Sequence, residues 1–185
     1  DAQALVGDEQ QDQADDRLVF AAEHPDLLLS AEASEDGRYL VIYGFRGTSP
    51  RNRIWVKDLH TQAAPQGLLV NEDAKYSYVE NIGSTFYFHT DHSAPRYRVM
   101  AVDLENPAPE RWREVIAEGL DTLDSVTMVN HRFVVTRLHH ARSLPDIHDL
   151  NGSRVSQIRL PGLGSVAAVS GKRNDTDFFF LFQSF

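Results

Sequence analysis

His89-Thr90-Asp91-His92 places two imidazoles and a carboxylate within four residues, the raw material of a metal site. No third well-placed ligand accompanies them, and a zinc spacing such as H-E-x-x-H is missing. An exposed hairpin is the expected structure there. His139 and His140 are chain neighbours, and neighbours on a strand point to opposite faces, which makes a poor chelate. Gly162-Leu163-Gly164-Ser165-Val166 is the string nearest a G-x-S-x-G nucleophile elbow, but its serine stands one place too late. Gly171-Lys172 has no Walker spacing before it and no Ser or Thr after it. Asn151-Gly152-Ser153 and Asn174-Asp175-Thr176 fit the glycosylation pattern and read as turns. The chain is therefore expected to carry no catalytic residue, no metal and no cofactor of its own.

Composition narrows the remaining functions. With 185 residues the chain can bury a sizeable core. Its apolar fraction, 42%, is slightly below the globular norm without suggesting disorder. A net charge of −9 gives no overall basic footprint for nucleic acid. No apolar run approaches the ~20 residues of a membrane helix, so no membrane partner is expected. Absence of cysteine excludes disulfides and thiolate metal sites but does not decide the compartment. A cytoplasmic location is the expectation, with the periplasm as the alternative.

The elements that must position any chemistry are short strands. Residues 1–16 form an acidic, polar start, unlike a signal peptide, and are read as a flexible lead-in, with Asp8–Asp16 a loop or disordered. Repeating structure begins near residue 17. Arg17–Ala22 and Leu27–Ser34 are strand candidates, and Asp36-Gly37 between apolar runs signals a hairpin. Tyr39–Tyr43 is a β-branched and aromatic strand that Gly44–Pro50 is expected to break, and Arg53–Lys57 is the next strand. Further strands are expected at Tyr76–Glu80, Thr85–His89, Tyr97–Leu104 and Arg113–Ile116. Others follow at Asp124–Val129, Arg132–Leu138, Ile147–Leu150 and Arg154–Leu160, and then at Gly164–Val169 and Phe178–Phe182. Glu110–Gly119 comes nearest to helical patterning, and its place in the repeat favours an outer strand.

One ending recurs. Asp58-Leu59, Asp103-Leu104 and Asp149-Leu150 each close the third strand of a unit, 45 and then 46 residues apart. Short strands in fours at a fixed period of about 40–50 residues are the mark of β-propeller blades. A sandwich or barrel is the alternative, but neither has reason to repeat at a constant interval. The expected fold is all-β, a single propeller segment over residues 1–185. It would comprise about three complete four-stranded blades with partial blades on either side. Unpaired edges at its ends would invite self-association.

The same residues carry a family resemblance. Ser34-Glu35-Asp36-Gly37-Arg38-Tyr39, Asn52-Arg53-Ile54-Trp55 and Asp58-Leu59 resemble the propeller domain of prolyl oligopeptidase, a serine peptidase that cuts short peptides after proline. The likeness continues through the stretch TFYFHTDHSAPRYRVMAVDL and through Leu160–Val169 (LPGLGSVAAV), and it ends in Asp177–Phe185 (DFFFLFQSF). Each motif is weak alone; their collinear order from Asp15 onward makes the match specific. The resemblance implies a seven-bladed propeller that caps an α/β-hydrolase domain and limits access to its Ser-Asp-His triad. That catalytic domain is missing from these residues, so the segment alone is expected to be inactive. Its expected partners are short proline-containing peptides and the hydrolase domain of the same polypeptide.

The resemblance also implies substrate contacts. An arginine of the family reaches a carbonyl of the bound peptide from this strand-to-loop region, using a rigid fork of donors. Arg46 is the first candidate, although direct counting from Gly37-Arg38-Tyr39 puts the family's arginine at Phe45. Adjacent strand residues face opposite sides, so only one of the two can point inward unless the strand bulges. Thr48 falls where the family has a small residue near the pocket, and Leu28 where it has an apolar wall; each can equally be core or loop filler. Two competing readings remain: a propeller used only as a binding scaffold, and a related peptidase of different specificity.

Overall fold

The computed structural model describes residues 3–6, 17–22 and 24–185. They are organised as antiparallel strands, and among the described residues the one helical element is a single 3-10 turn at Pro109–Arg111. The chain divides into two compact units, Asp1–Tyr76 and Ser77–Phe185.

In the first unit β1 (Gln3–Val6) pairs with β2 (Arg17–Ala21). β1 falls inside the stretch read as a flexible lead-in, where Ala4-Leu5-Val6 is the apolar run that suits a strand. The acidic part of that reading, Asp8–Asp16, lies outside the described residues. β3 (Leu27–Ala33), β4 (Tyr39–Arg46), β5 (Asn52–Asp58) and β6 (Gln66–Leu69) then form a four-stranded sheet in chain order. Tyr39, Val41, Ile42, Ile54, Val56 and Leu69 are buried in it. The Asp36-Gly37 turn forms as expected: the Ser34 hydroxyl donates to Asp36 Oδ1 at 2.6 Å, and the Tyr39 N–H donates to Ser34 Oγ at 2.9 Å.

β4 runs three residues further than its sequence suggested. Gly44 does not break it; it makes room for its neighbour. A Cβ at Gly44 would lie 2.8 Å from Cζ3 of Trp55, closer than carbon atoms approach. The indole packs over the strand, and pairing continues to Arg46 without a bulge.

In the second unit β7 (Tyr76–Ile82, beginning at the unit boundary), β8 (Thr85–Thr90), β9 (Arg98–Asp103) and β10 (Arg113–Ile116) make the next sheet. β11 (Thr122–Val129), β12 (Arg132–His139), β13 (Arg142–His148) and β14 (Arg154–Gln157) make another. β15 (Gly164–Ser170) and β16 (Phe179–Ser184) form a two-stranded sheet. Tyr87, Val99, Ala101 and Ile116 join Leu123, Met128, Phe133 and Val135 in one core within this unit. β13 starts five residues before its expected beginning and contains Pro145. The pairing with β12 runs unbroken through that proline, opposite Thr136. The β14 ladder ends opposite Asp146 with one further bond, from the Ile158 N–H to the Pro145 carbonyl at 2.9 Å, so the missing N–H of Pro145 falls where the outer pairing ends.

The recurring Asp has a physical role. Asp58 Oδ1 accepts the His60 N–H at 2.9 Å, Asp103 Oδ1 the Glu105 N–H at 3.0 Å, and Asp149 Oδ1 the N–H groups of Asn151 and Ser153, both at 2.9 Å. Each aspartate closes the third strand of its sheet with the same side-chain turn.

Candidate substrate-facing site

In a four-stranded antiparallel meander, the connection between the second and third strands and the one leaving the fourth strand emerge at the same end of the sheet. In the first unit that end carries Leu28, Phe45, Arg46, Thr48 and the segment around Glu72.

The sheet register sorts the expected contacts by face. Leu28 is the cross-strand partner of Phe45, and Phe45 is in turn the partner of Asn52. Partners directly opposite share a face, so Leu28 and Phe45 stand together. Tyr43 lies two residues back on that face, its ring stacked with Phe45 at 5.9 Å and 10°. Tyr43 also donates its hydroxyl proton to Glu32. Leu28 is 63% exposed, so this face offers an apolar and aromatic surface to solvent. Asn52 anchors its inner edge: it is 1% exposed, donates to the Tyr76 carbonyl at 2.9 Å and accepts the Tyr76 N–H at 2.7 Å.

Arg46 points to the other face, opposite Leu27. Its guanidinium lies 3.0 Å from Asp26 Oδ2 and 3.3 Å from Glu72 Oε1, and Arg53 holds Glu72 Oε2 at 2.7 Å. The Arg53 hydrogen bond, aided by the charges of Arg53 and Arg46 and opposed by burial, holds the Glu72 carboxyl below the usual glutamate range. The same face carries a cavity of about 340 Å³ lined by Phe20, Leu27, Arg53, Trp55 and Val70. Thr48 is exposed in the turn after β4, where the Ser49 N–H donates to the Arg46 carbonyl at 3.1 Å. The structure thus brings Leu28 and Phe45 together and assigns Arg46 to an ion-pair cluster. Asp26, Glu72 and Tyr43 were not singled out from the sequence; Glu72 lies 26 residues beyond Arg46, and no local pattern links them.

The histidines that drew attention have structural partners. His89 Nε2 contacts the Leu123 carbonyl at 2.8 Å, and its ring stacks on Tyr97 at 4.6 Å. His92 meets the edge of Trp112 at 5.5 Å. His139 Nδ1 lies 2.7 Å from Asp121 Oδ1, with the His140 ring packed against its own. Among the described residues no three His, Cys, Asp or Glu side chains are grouped to hold a metal. Ser165 lies inside β15 opposite Gln183, not at a strand-to-helix turn. Among the described residues no helix is long and apolar enough to cross a membrane.

The sequence profile of the family described as "Prolyl oligopeptidase, N-terminal beta-propeller domain" matches residues 6–185. The chain belongs to the prolyl oligopeptidase family. Its four-stranded sheets are accordingly blades of a prolyl oligopeptidase propeller. Among curated relatives it is 29% identical to a prolyl endopeptidase of Elizabethkingia miricola, over 94% of this chain and 24% of that protein. It is 32% identical to the dual function macrocyclase-peptidase POPB of Galerina marginata, again over 94% of this chain and 24% of that protein. A solved prolyl endopeptidase superposes with a TM-score of 0.88 at 30% identity, covering 98% of this chain and 27% of the other. Prolyl oligopeptidase B from Galerina marginata, bound to a 35mer hydrolysis and macrocyclization substrate, gives a TM-score of 0.84 at 26% identity over 95% of this chain and 26% of that one. The chain spans about a quarter of the length of these prolyl oligopeptidase relatives.

Proposed function

We propose that this chain is the gating and substrate-access segment of a serine peptidase that cleaves short peptides after proline. The observation that carries the reading is the match of residues 6–185 to the propeller of prolyl oligopeptidases. In this reading an α/β-hydrolase domain of the same polypeptide supplies the serine nucleophile, the histidine that acts as base and then acid, and the oxyanion donors. The propeller contributes restricted entry and one wall of the cleft. Leu28 and Phe45 form that wall and pack against the peptide; their cross-strand pairing and the exposure of Leu28 support this assignment. Arg46 is engaged by Asp26 and Glu72, which favours a structural role for it. Thr48 borders the same end of the sheet.

The test is hydrolysis of a chromogenic peptide ending in proline, by the full-length polypeptide and by this 185-residue segment side by side. Activity in the full-length protein and none in the segment is the expected result. A full-length protein that neither cleaves the peptide nor labels with an active-site serine probe overturns the reading in favour of a binding scaffold. The segment by itself is proposed to self-associate through the β16 edge, where Phe179 and Leu181 are exposed.

A further inference from the structure

β13 spans Arg142–His148, but β14 pairs with it only at Asp146, Ile147 and His148. Beyond Ile158, whose N–H still reaches β13, the chain diverges, leaving a cleft of about 300 Å³ between the first half of β13 and residues 157–164. Leu144, Pro145, Ile158 and Leu160 give the cleft apolar walls. Arg142 and Arg159 line it as well, and among the described residues lining it none is acidic. Neither arginine side chain has an ion-pair or hydrogen-bond partner among the described residues. This contrasts with Arg38, Arg46, Arg53, Arg98 and Arg137, each held by a carboxylate. In a chain of net charge −9, two unpaired arginines and no carboxylate line this one cleft.

The backbone on this side of β13 is partly occupied. The Ile158 N–H donates to the Pro145 carbonyl at 2.9 Å, so that carbonyl faces the outer edge of β13. By strand alternation the N–H and C=O of Ser143 face the same edge. Ser143 is buried and its Oγ accepts the Val166 N–H at 2.9 Å, so the cleft's walls and its arginines, rather than an open strand edge, carry recognition. The cleft lies where β13 begins and β14 has ended, the end of this sheet that corresponds in strand order to the Phe45 end of the first sheet.

We infer that this cleft binds an extended peptide segment bearing a carboxylate, which Arg142 and Arg159 hold while the apolar walls take the flanking side chains. Arginine suits this role because its planar fork matches a carboxylate. The inference rests on the proposed peptidase reading, since it assigns the occupant as part of the substrate distal to the cleaved bond.

The experiment uses the full-length protein and fluorescent proline peptides that differ in one feature. One pair carries Glu or Gln beyond the proline; another carries a free or an amidated carboxyl terminus. Binding is read by anisotropy and cleavage by kcat/KM. The expected result is about tenfold tighter binding of a carboxylate-bearing peptide, seen as a lower KM rather than a higher kcat and weakened by added salt. The pair that shows the difference identifies the carboxylate as side chain or terminus. R142Q and R159Q together are expected to abolish the difference, whereas R154Q, altering an exposed arginine outside the cleft, keeps it. Equal binding of both members of both pairs overturns the inference, as does a preference that survives R142Q and R159Q. Cleavage with no such preference leaves the peptidase reading standing. Failure to cleave any prolyl peptide removes that reading, and anisotropy still decides the cleft.

Discussion

Leu28 and Phe45 face each other across β3 and β4, on the side of the sheet that Arg46 does not share. Their opposition yields a clean separation of roles. In the full-length protein, Phe45→Ala is expected to raise KM for proline peptides about tenfold, because an aromatic contact is worth ~1–2 kcal/mol. Arg46→Ala is expected to leave KM within about twofold. Its cost falls on stability instead, and stays under ~1 kcal/mol because the guanidinium is 46% exposed and its ion pairs are screened. Steady-state kinetics on both variants decides; the reverse pattern would return the substrate contact to Arg46.

Glu72 links this end of the sheet to pH. Its carboxyl is held below the usual range first by the Arg53 hydrogen bond. A depressed folded-state pKa means that the stabilisation is fully present above the unfolded glutamate pKa, about 4.3. It is lost as pH falls through the lower folded value. Denaturation midpoints measured at decreasing pH should therefore show a loss that Glu72→Gln removes. Identical acid profiles for the two proteins would contradict this.

Gly152 occupies the turn that follows β13, with φ of +87°. A Cβ there would lie 1.7 Å from the Val115 carbonyl oxygen, on backbone that cannot swing aside. Gly152→Ala is expected to lower stability by more than ~3 kcal/mol, combining backbone strain with overpacking. Gly119→Ala, whose added Cβ meets only ordinary contacts, should change it by less than ~0.5 kcal/mol. Thermal unfolding of both variants gives the comparison.

The 185-residue segment alone should sediment as a dimer or larger species. Phe179→Lys with Leu181→Lys should shift it toward monomer, since charge on an edge opposes pairing. A segment that is monomeric across concentrations would set aside the proposed edge contact.

The blade pattern was legible because its marker is local. Each repeated aspartate binds N–H groups two to four residues ahead, so its spacing in the sequence is also the spacing of a physical turn. The strand-rich runs at Thr85 and Arg113 were equally plain, being β-branched, aromatic or alternating. What the sequence hid depended on remote neighbours. Gly44 reads as a breaker until Trp55 is seen against it. β6, only Gln66–Leu69, is too short to show a period. The sidedness of Phe45 and Arg46 follows from an unbroken register, and the composition of a loop does not reveal a register.

The aspartate turns also bear on the order in which the molecule is made. Each closes over a handful of residues, so a corner can form as soon as its own strand has left the ribosome, with little loop entropy to overcome. Gly152 against Val115 is the opposite case: that fit exists only once residues from two successive sheets have met. Folding would then make each corner an early local event and, within the second unit, the docking of its sheets a later step. A substitution at Asp149 would chiefly slow that first step, while one at Gly152 would strain the same corner and also add a clash felt only when the sheets dock, slowing folding and hastening unfolding.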